Sequence, residues 1–198
     1  MIRNVLLVNS DLAVNRGDRA IAEGNVQLVK DRFPDARVTI LSQHPERDSR
    51  WYGADVLNMD FQSLNPLDLL RLLQAAKRAD VVLWGGGEIL KDYTNKAALW
   101  YWTLKMTAVS LVNRQLYGAY QGIGPTSSPL SRRLIAFIIN RCRRFIVRDA
   151  ESRDKAVSWG ADPERVIVAA DPAVVPLAAP RSGDLLRRLA TDFDISET

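Results

Sequence analysis

Seven short apolar runs punctuate the chain, and most are continuous rather than alternating polar with apolar. They fall at residues 5–10 (VLLVNS), 37–41 (RVTIL), 54–59 (ADVLNM), 80–84 (DVVLW), within 116–124 (LYGAYQGIG), at 144–149 (RFIVRD) and at 165–173 (RVIVAADPA). A run apolar on both sides of the pleat has to be buried on both faces, as happens when helices cover a parallel sheet. Helical patterns separate the runs. Residues 15–33 follow a polar cap, and 66–79 place leucines at helical spacing behind a proline. Residues 94–112 are rich in aromatics, 127–142 carry an early proline, and 150–160 end on a glycine. The predicted fold is α/β: a doubly wound, mainly parallel, Rossmann-like sheet. The expected organisation is a Rossmann-like domain over 1–176, followed at 177–198 by a linker or the start of a further domain.

Residue usage closes several chemical routes. Cys142 is the one cysteine, so no internal disulfide framework or multi-cysteine metal site is expected; it reads as a buried structural thiol. His44, the one histidine, sits in "SQHPERDS", read as a loop, and no zinc site can rest on it alone. No metal site is expected. The formal charge of +4 suits an ordinary solvated surface, or an anionic small molecule, nucleic acid or an anionic surface as partner. Arg132, Arg133, Arg141, Arg143, Arg144 and Arg148 are dense, but no nucleic-acid motif accompanies them, and nucleic acid is not expected as a partner. The helix at 94–112 is interrupted by Lys105 and is too short to span a bilayer. The expectation is a cytoplasmic protein, with association at the inner face of a membrane left open.

In an open α/β sheet, ligands bind beyond the carboxyl ends of the strands, so the residues after each apolar run are the candidates. After the first run, Asn15, Gly17 and Asp18 open a helix, as a cap or as an anion or sugar site. After the fourth come Gly85, Gly86, Gly87 and Glu88, with Asp92 beyond. Their spacing fits neither the dinucleotide fingerprint nor the P-loop, yet three glycines suggest close backbone approach to a ligand. Gln121, Gly122 and Gly124 follow the fifth run, and Arg148 and Asp149 end the sixth. An arginine there can clamp a carboxylate or phosphate bidentately, or it can pair with Asp149 to fix the loop. Asp171, before Pro172, either caps a turn or orients a basic group across the cleft.

Five of these stretches, "NRGDRAI", "DVVLWGGGEILKD", "QGIGP", "RDAES" with "WGA" following, and "AADPA", occur in the order and approximate spacing of the polysaccharide pyruvyl transferase family. The chain resembles that family over residues 4–176. The resemblance implies one half of a GT-B-like architecture, in which two Rossmann-like domains face each other across a cleft. It implies transfer of the pyruvyl unit of phosphoenolpyruvate to two sugar hydroxyls as a ketal, in synthesis of bacterial exopolysaccharide or cell-wall polymer. Phosphoenolpyruvate would be the donor substrate, no separate cofactor is implied, and the acceptor would be a sugar or lipid-linked oligosaccharide.

The family's second domain, with its basic and histidine residues, has no counterpart in these 198 residues, so the chain alone is expected to be inactive. Glu88, Asp149 and Asp171 are the carboxyls at strand tips, and none is singled out as the general acid. Two other readings stand beside this one: a GT-B nucleotide-sugar glycosyltransferase, and a non-catalytic scaffold in a polysaccharide-synthesis complex. Trp100, Tyr101 and Trp102 are consecutive and cannot share one helix face, so a homo-oligomer or a C-terminal domain could meet the 94–112 helix.

Overall fold

The computed structural model describes residues 2–10, 12, 15–93 and 95–175. The expected linker at 177–198 lies outside them. The described chain alternates strand and helix throughout: β1 (Asn4–Val8), α1 (Arg16–Arg32), β2 (Arg37–Ser42), α2 (Pro45–Tyr52), β3 (Asp55–Asn58), α3 (Pro66–Arg78), β4 (Val81–Gly85), α4 (Lys96–Val112), β5 (Leu116–Gln121), α5 (Pro129–Arg141), β6 (Phe145–Val147), α6 (Ala150–Ser158) and β7 (Val166–Val168), then a 3-10 turn (Pro172–Val174).

All seven strands are parallel, in the order β3-β2-β1-β4-β5-β6-β7. The winding reverses between β1 and β4, and a doubly wound sheet opens its crevice at that point. Alternate residues of a strand point to opposite faces, and β1 feeds both cores accordingly. Leu7 packs with Val38, Ile40, Ala22, Val26 and Tyr52 under α1 and α2. Leu6 and Val8 join Val82, Trp84, Leu99, Met106 and Ile135 under α3, α4 and α5. This two-sided burial is why the strands read as continuous apolar runs.

The expected helices form close to their predicted bounds because their ends are signalled chemically. Asn15, Asn65, Asn95, Ser128 and Asp149 each accept a backbone N–H from the first turn of α1, α3, α4, α5 and α6 respectively. One expectation is corrected. "HPERDS" is not a loop: Pro45–Tyr52 is a helix, with Pro45 in its first turn, Glu46 and Asp48 near its positive end, and Gly53 at φ 56° terminating it. Its eight residues were too few to show a helical period. Cys142 is the expected buried thiol, its Sγ directed at the Ile138 carbonyl, and burial pushes its pKa up to about 12. Among the described residues, no helix is long and apolar enough to cross a membrane.

Candidate active site

A cleft of about 500 Å³ opens at the carboxyl ends of β1 and β4, where the winding reverses. Of the residues expected at a site, Asn15, Gly17, Asp18, Gly87, Glu88 and Arg148 line it. Gly85, Gly86, Gln121, Gly122, Gly124, Asp149 and Asp171 stand behind that lining. Their contacts explain how the lining is held.

The glycines act as seats for side chains. Gly86, at φ 124°, lies so close to Ser10 that a Cβ would come 2.6 Å from its Oγ. Gly87, at φ 35°, would bring a Cβ 2.7 Å from Asp18 Oδ1. The triplet therefore lets the β4 tip close against the residues around the start of α1, with Asp18 resting on Gly87. The "QGIG" turn does the same for the opposite wall. A Cβ on Gly122 would meet the Arg148 guanidinium, 2.8 Å from Nε and Nη2, and one on Gly124 would collide with the Glu88 carboxylate. Tyr120 carries the strain that aims this turn. Its φ of 56° is unusual for a bulky residue, and the β5–β6 register shifts between Gly118 and Gln121. Gln121 is fully buried and donates to the Trp84 carbonyl, tying β5 to β4.

Arg148 is the electrostatic centre. Its guanidinium lies 3.5 Å from Glu88 and 3.7 Å from both Asp149 and Asp171, with its side chain 31% exposed. Glu88 is also 3.7 Å from Lys91 Nζ. Both readings of Arg148 thus meet in one geometry: it pairs with loop carboxylates and still faces the cleft. The three carboxyls differ in their other bonds. Asp149 accepts the Ser152 N–H at 2.6 Å. Burial opposes its ionisation, but the Ser152 donors outweigh that, with Arg148 and Lys155 assisting, and hold its pKa below the usual carboxylate range. Asp171 accepts the Ala173 N–H at 3.0 Å as the cap of the 3-10 turn. Glu88 alone of the three lines the cleft.

Ser10, Phe61, Gln62, Lys91, Asn95 and Trp102 also line the cleft and escaped sequence reasoning. Ser10 lies two residues beyond the end of β1, so the strand-tip rule could have pointed to it. Phe61 and Trp102 lie in contact, ring centroids 6.1 Å apart, and only the packing of α4 on the loop after β3 brings them together. Behind them Lys105 is buried. Its Nζ donates to the carbonyls of Phe61 and Ser63 and sits 4.4 Å from the Tyr101 ring centre. Burial drives its pKa down to about 8, against the raising effects of Asp60 and Asp68.

A parallel sheet in 3-2-1-4-5-6-7 order with a polar cleft at its switch point defines a Rossmann-like domain of the GT-B type, and solved structures share it. HepE of Anabaena in complex with UDP matches at TM-score 0.61 and 16% identity, over 98% of this chain and 50% of that one. A glycosyltransferase of Rickettsia africae matches at TM-score 0.60 and 12% identity, over 100% and 51%. UDP-GlcNAc 2-epimerase of Neisseria meningitidis bound to UDP-GlcNAc matches at 0.56 and 16%, over 96% and 54%. The chain spans about half the length of these structures, and at such identities the likeness is one of fold. No curated protein matches the sequence. The family described as polysaccharide pyruvyl transferase matches residues 15–196, and the chain belongs to that family.

Proposed function

We propose that this chain forms the acceptor-facing half of a polysaccharide pyruvyl transferase that uses phosphoenolpyruvate as donor. Family membership over residues 15–196 carries the reading, and the charge balance of the cleft refines it. Phosphoenolpyruvate bears a carboxylate and a phosphate. Arg148 and Lys91 face it from this side, but Asp18, Glu88, Asp149 and Asp171 surround them. Two carboxylates and two cations line the cleft itself, and Asp149 and Asp171 back Arg148, a balance better suited to sugar hydroxyls than to a doubly charged donor. The opposing surface, from a second domain or subunit, supplies the remaining cations.

In this reading a sugar hydroxyl attacks C2 of phosphoenolpyruvate as a proton is delivered to C3, and a second hydroxyl then displaces phosphate to close the ketal. Glu88 exchanges protons with the acceptor, since Asp149 and Asp171 are committed to capping backbone N–H groups. Arg148 orients the donor carboxylate, held flat by Gly122. Residues 1–198 alone bind an acceptor sugar and do not turn over.

The test is phosphate release from phosphoenolpyruvate with candidate acceptor sugars, with and without the family's second domain supplied. Turnover by the isolated chain, or unchanged turnover in Glu88→Gln within an active assembly, would overturn the assignment. A second reading has its own support: the Anabaena and Neisseria structures hold UDP and UDP-GlcNAc. Calorimetry with phosphoenolpyruvate and with UDP-sugars separates a pyruvyl transferase from a nucleotide-sugar glycosyltransferase.

A further inference from the structure

Charge is segregated along this chain. From residue 93 to 148 there is no Asp or Glu, while nine Lys and Arg occur. Two of the nine are already accounted for, Lys105 in the interior and Arg148 at the cleft. Most of the rest gather around α4 and α5. At the amino ends of β5–β7, opposite the cleft, a second hollow of about 590 Å³ is lined by Arg114, Arg141, Arg143 and Arg165. Asp162, 3.2 Å from Arg165, is the one carboxylate paired with any of these four among the described residues.

The helices beside this hollow present an apolar surface to solvent. Trp100 donates to Ser131 and Arg141 donates to Ser110, so α4 and α5 run side by side in a fixed register. Their outward positions are Leu104 and Leu111 on α4, 67% and 70% exposed, and Leu130 and Phe137 on α5, 50% and 47% exposed. Each pair is seven residues apart, two helical turns, and therefore on one face. Leu111 reaches the rim of the arginine hollow, and Arg141 lies over the Phe137 ring at 5.6 Å. Arginines at helix carboxyl ends answer the local dipole, and Arg165 does bond the Cys142 carbonyl. That explains part of the charge but not the exposed leucines next to it.

We propose that the α4–α5 face docks on an anionic phospholipid bilayer. The leucines and Phe137 enter the headgroup boundary, and Arg114, Arg141 and Arg143 engage lipid phosphates. An apolar stripe bordered by arginines, with the acids Asp162 and Glu164 only at the Arg165 edge, is the pattern that binds such an interface. The predominance of positive charge beside exposed leucines complements a surface that is anionic at its headgroups and apolar beneath them, as a bilayer is.

The test is co-sedimentation of the protein with vesicles of phosphatidylcholine alone and of phosphatidylcholine with phosphatidylglycerol. Binding is expected to the anionic vesicles only. Neutralising two exposed charges in R114Q/R143Q should weaken it roughly thirtyfold, and L104S/L111S should abolish it at unchanged melting temperature. Equal binding to both vesicle types, binding to neither, or unaltered binding by both variants overturns the proposal. So does a dimer in sedimentation equilibrium that L104S/L111S dissociates while vesicles bind nothing. Inorganic phosphate that competes the protein off completely would assign the hollow to a free anion and also overturn docking.

Discussion

The guanidinium of Arg148 lies flat against the backbone of Gly122, close enough that a single methyl at that glycine would occupy its place. Gly122 has no positive φ, so alanine fits the backbone, and the group in the way is the far end of a flexible side chain. Gly122→Ala should therefore change stability by less than about 1 kcal/mol while tilting Arg148 out of its seat. In an active assembly the KM for phosphoenolpyruvate should rise roughly tenfold, about 1.4 kcal/mol. Thermal melting paired with donor titration separates the two effects.

Gly24 presents the opposite case. Its Cβ would run into the backbone carbonyl of Pro172, which no rotamer change can move aside. Gly24→Ala should cost about 1–3 kcal/mol as α1 and the 3-10 turn are forced apart. The turn also carries Asp171, so the Asp171–Arg148 pair should weaken with it. Urea denaturation measures the first loss, and activity in the assembled enzyme measures the second.

Lys105 should leave a mark on stability against pH. Its folded pKa of about 8 lies below the ordinary lysine value of about 10.4. Between those values the unfolded chain binds the extra proton, so stability rises with pH across that window, and the penalty is fully present below it. Lys105→Met should flatten this rise in denaturant midpoints taken from pH 7.5 to 10. It should also loosen the Phe61–Ser63 loop, whose carbonyls Lys105 holds.

Asp92 works with the opposite sign. It is buried, and its carboxylate accepts the Ser127 and Ser128 N–H groups at 2.9 Å each. Burial opposes ionisation, but those donors outweigh it and lower the pKa. The resulting stability is present above about pH 4 and is lost as pH falls through the lower folded value. Asp92→Asn can satisfy one of the two N–H groups well, and should cost about 1–3 kcal/mol at neutral pH. Acid titration of the unfolding midpoint should show a shallower fall in the variant.

The fold was legible because the inner strands are buried on both faces and each long helix announces its start with an Asn, Ser or Asp cap. The strand-tip rule pointed to Asn15, Asp18, Glu88 and Arg148, and the structure brings these four to the lining of one cleft. Its limit shows at Gly86, Gly87, Gly122 and Gly124. A glycine signals close approach, but only three dimensions show that what approaches is Ser10, Asp18, Arg148 or Glu88. Phe61, Trp102 and Lys105 were hidden for a related reason: their proximity depends on how α4 packs on the loop after β3. The α2 helix escaped because eight residues carry too little periodicity.

The sheet order also constrains how the chain is made. β1 is an interior strand, and Val5 pairs with Val38 on one side and with Val81 on the other. At synthesis rates of roughly 5–20 residues per second, β1 waits several seconds on the ribosome for β4, one flank meanwhile open along the apolar stretch Val5–Val8. A nascent chain halted before Val81 would present that flank to chaperones and to other unfinished chains. Translation through the segment around the glycine triplet is thus the step after which β1 can be flanked on both sides.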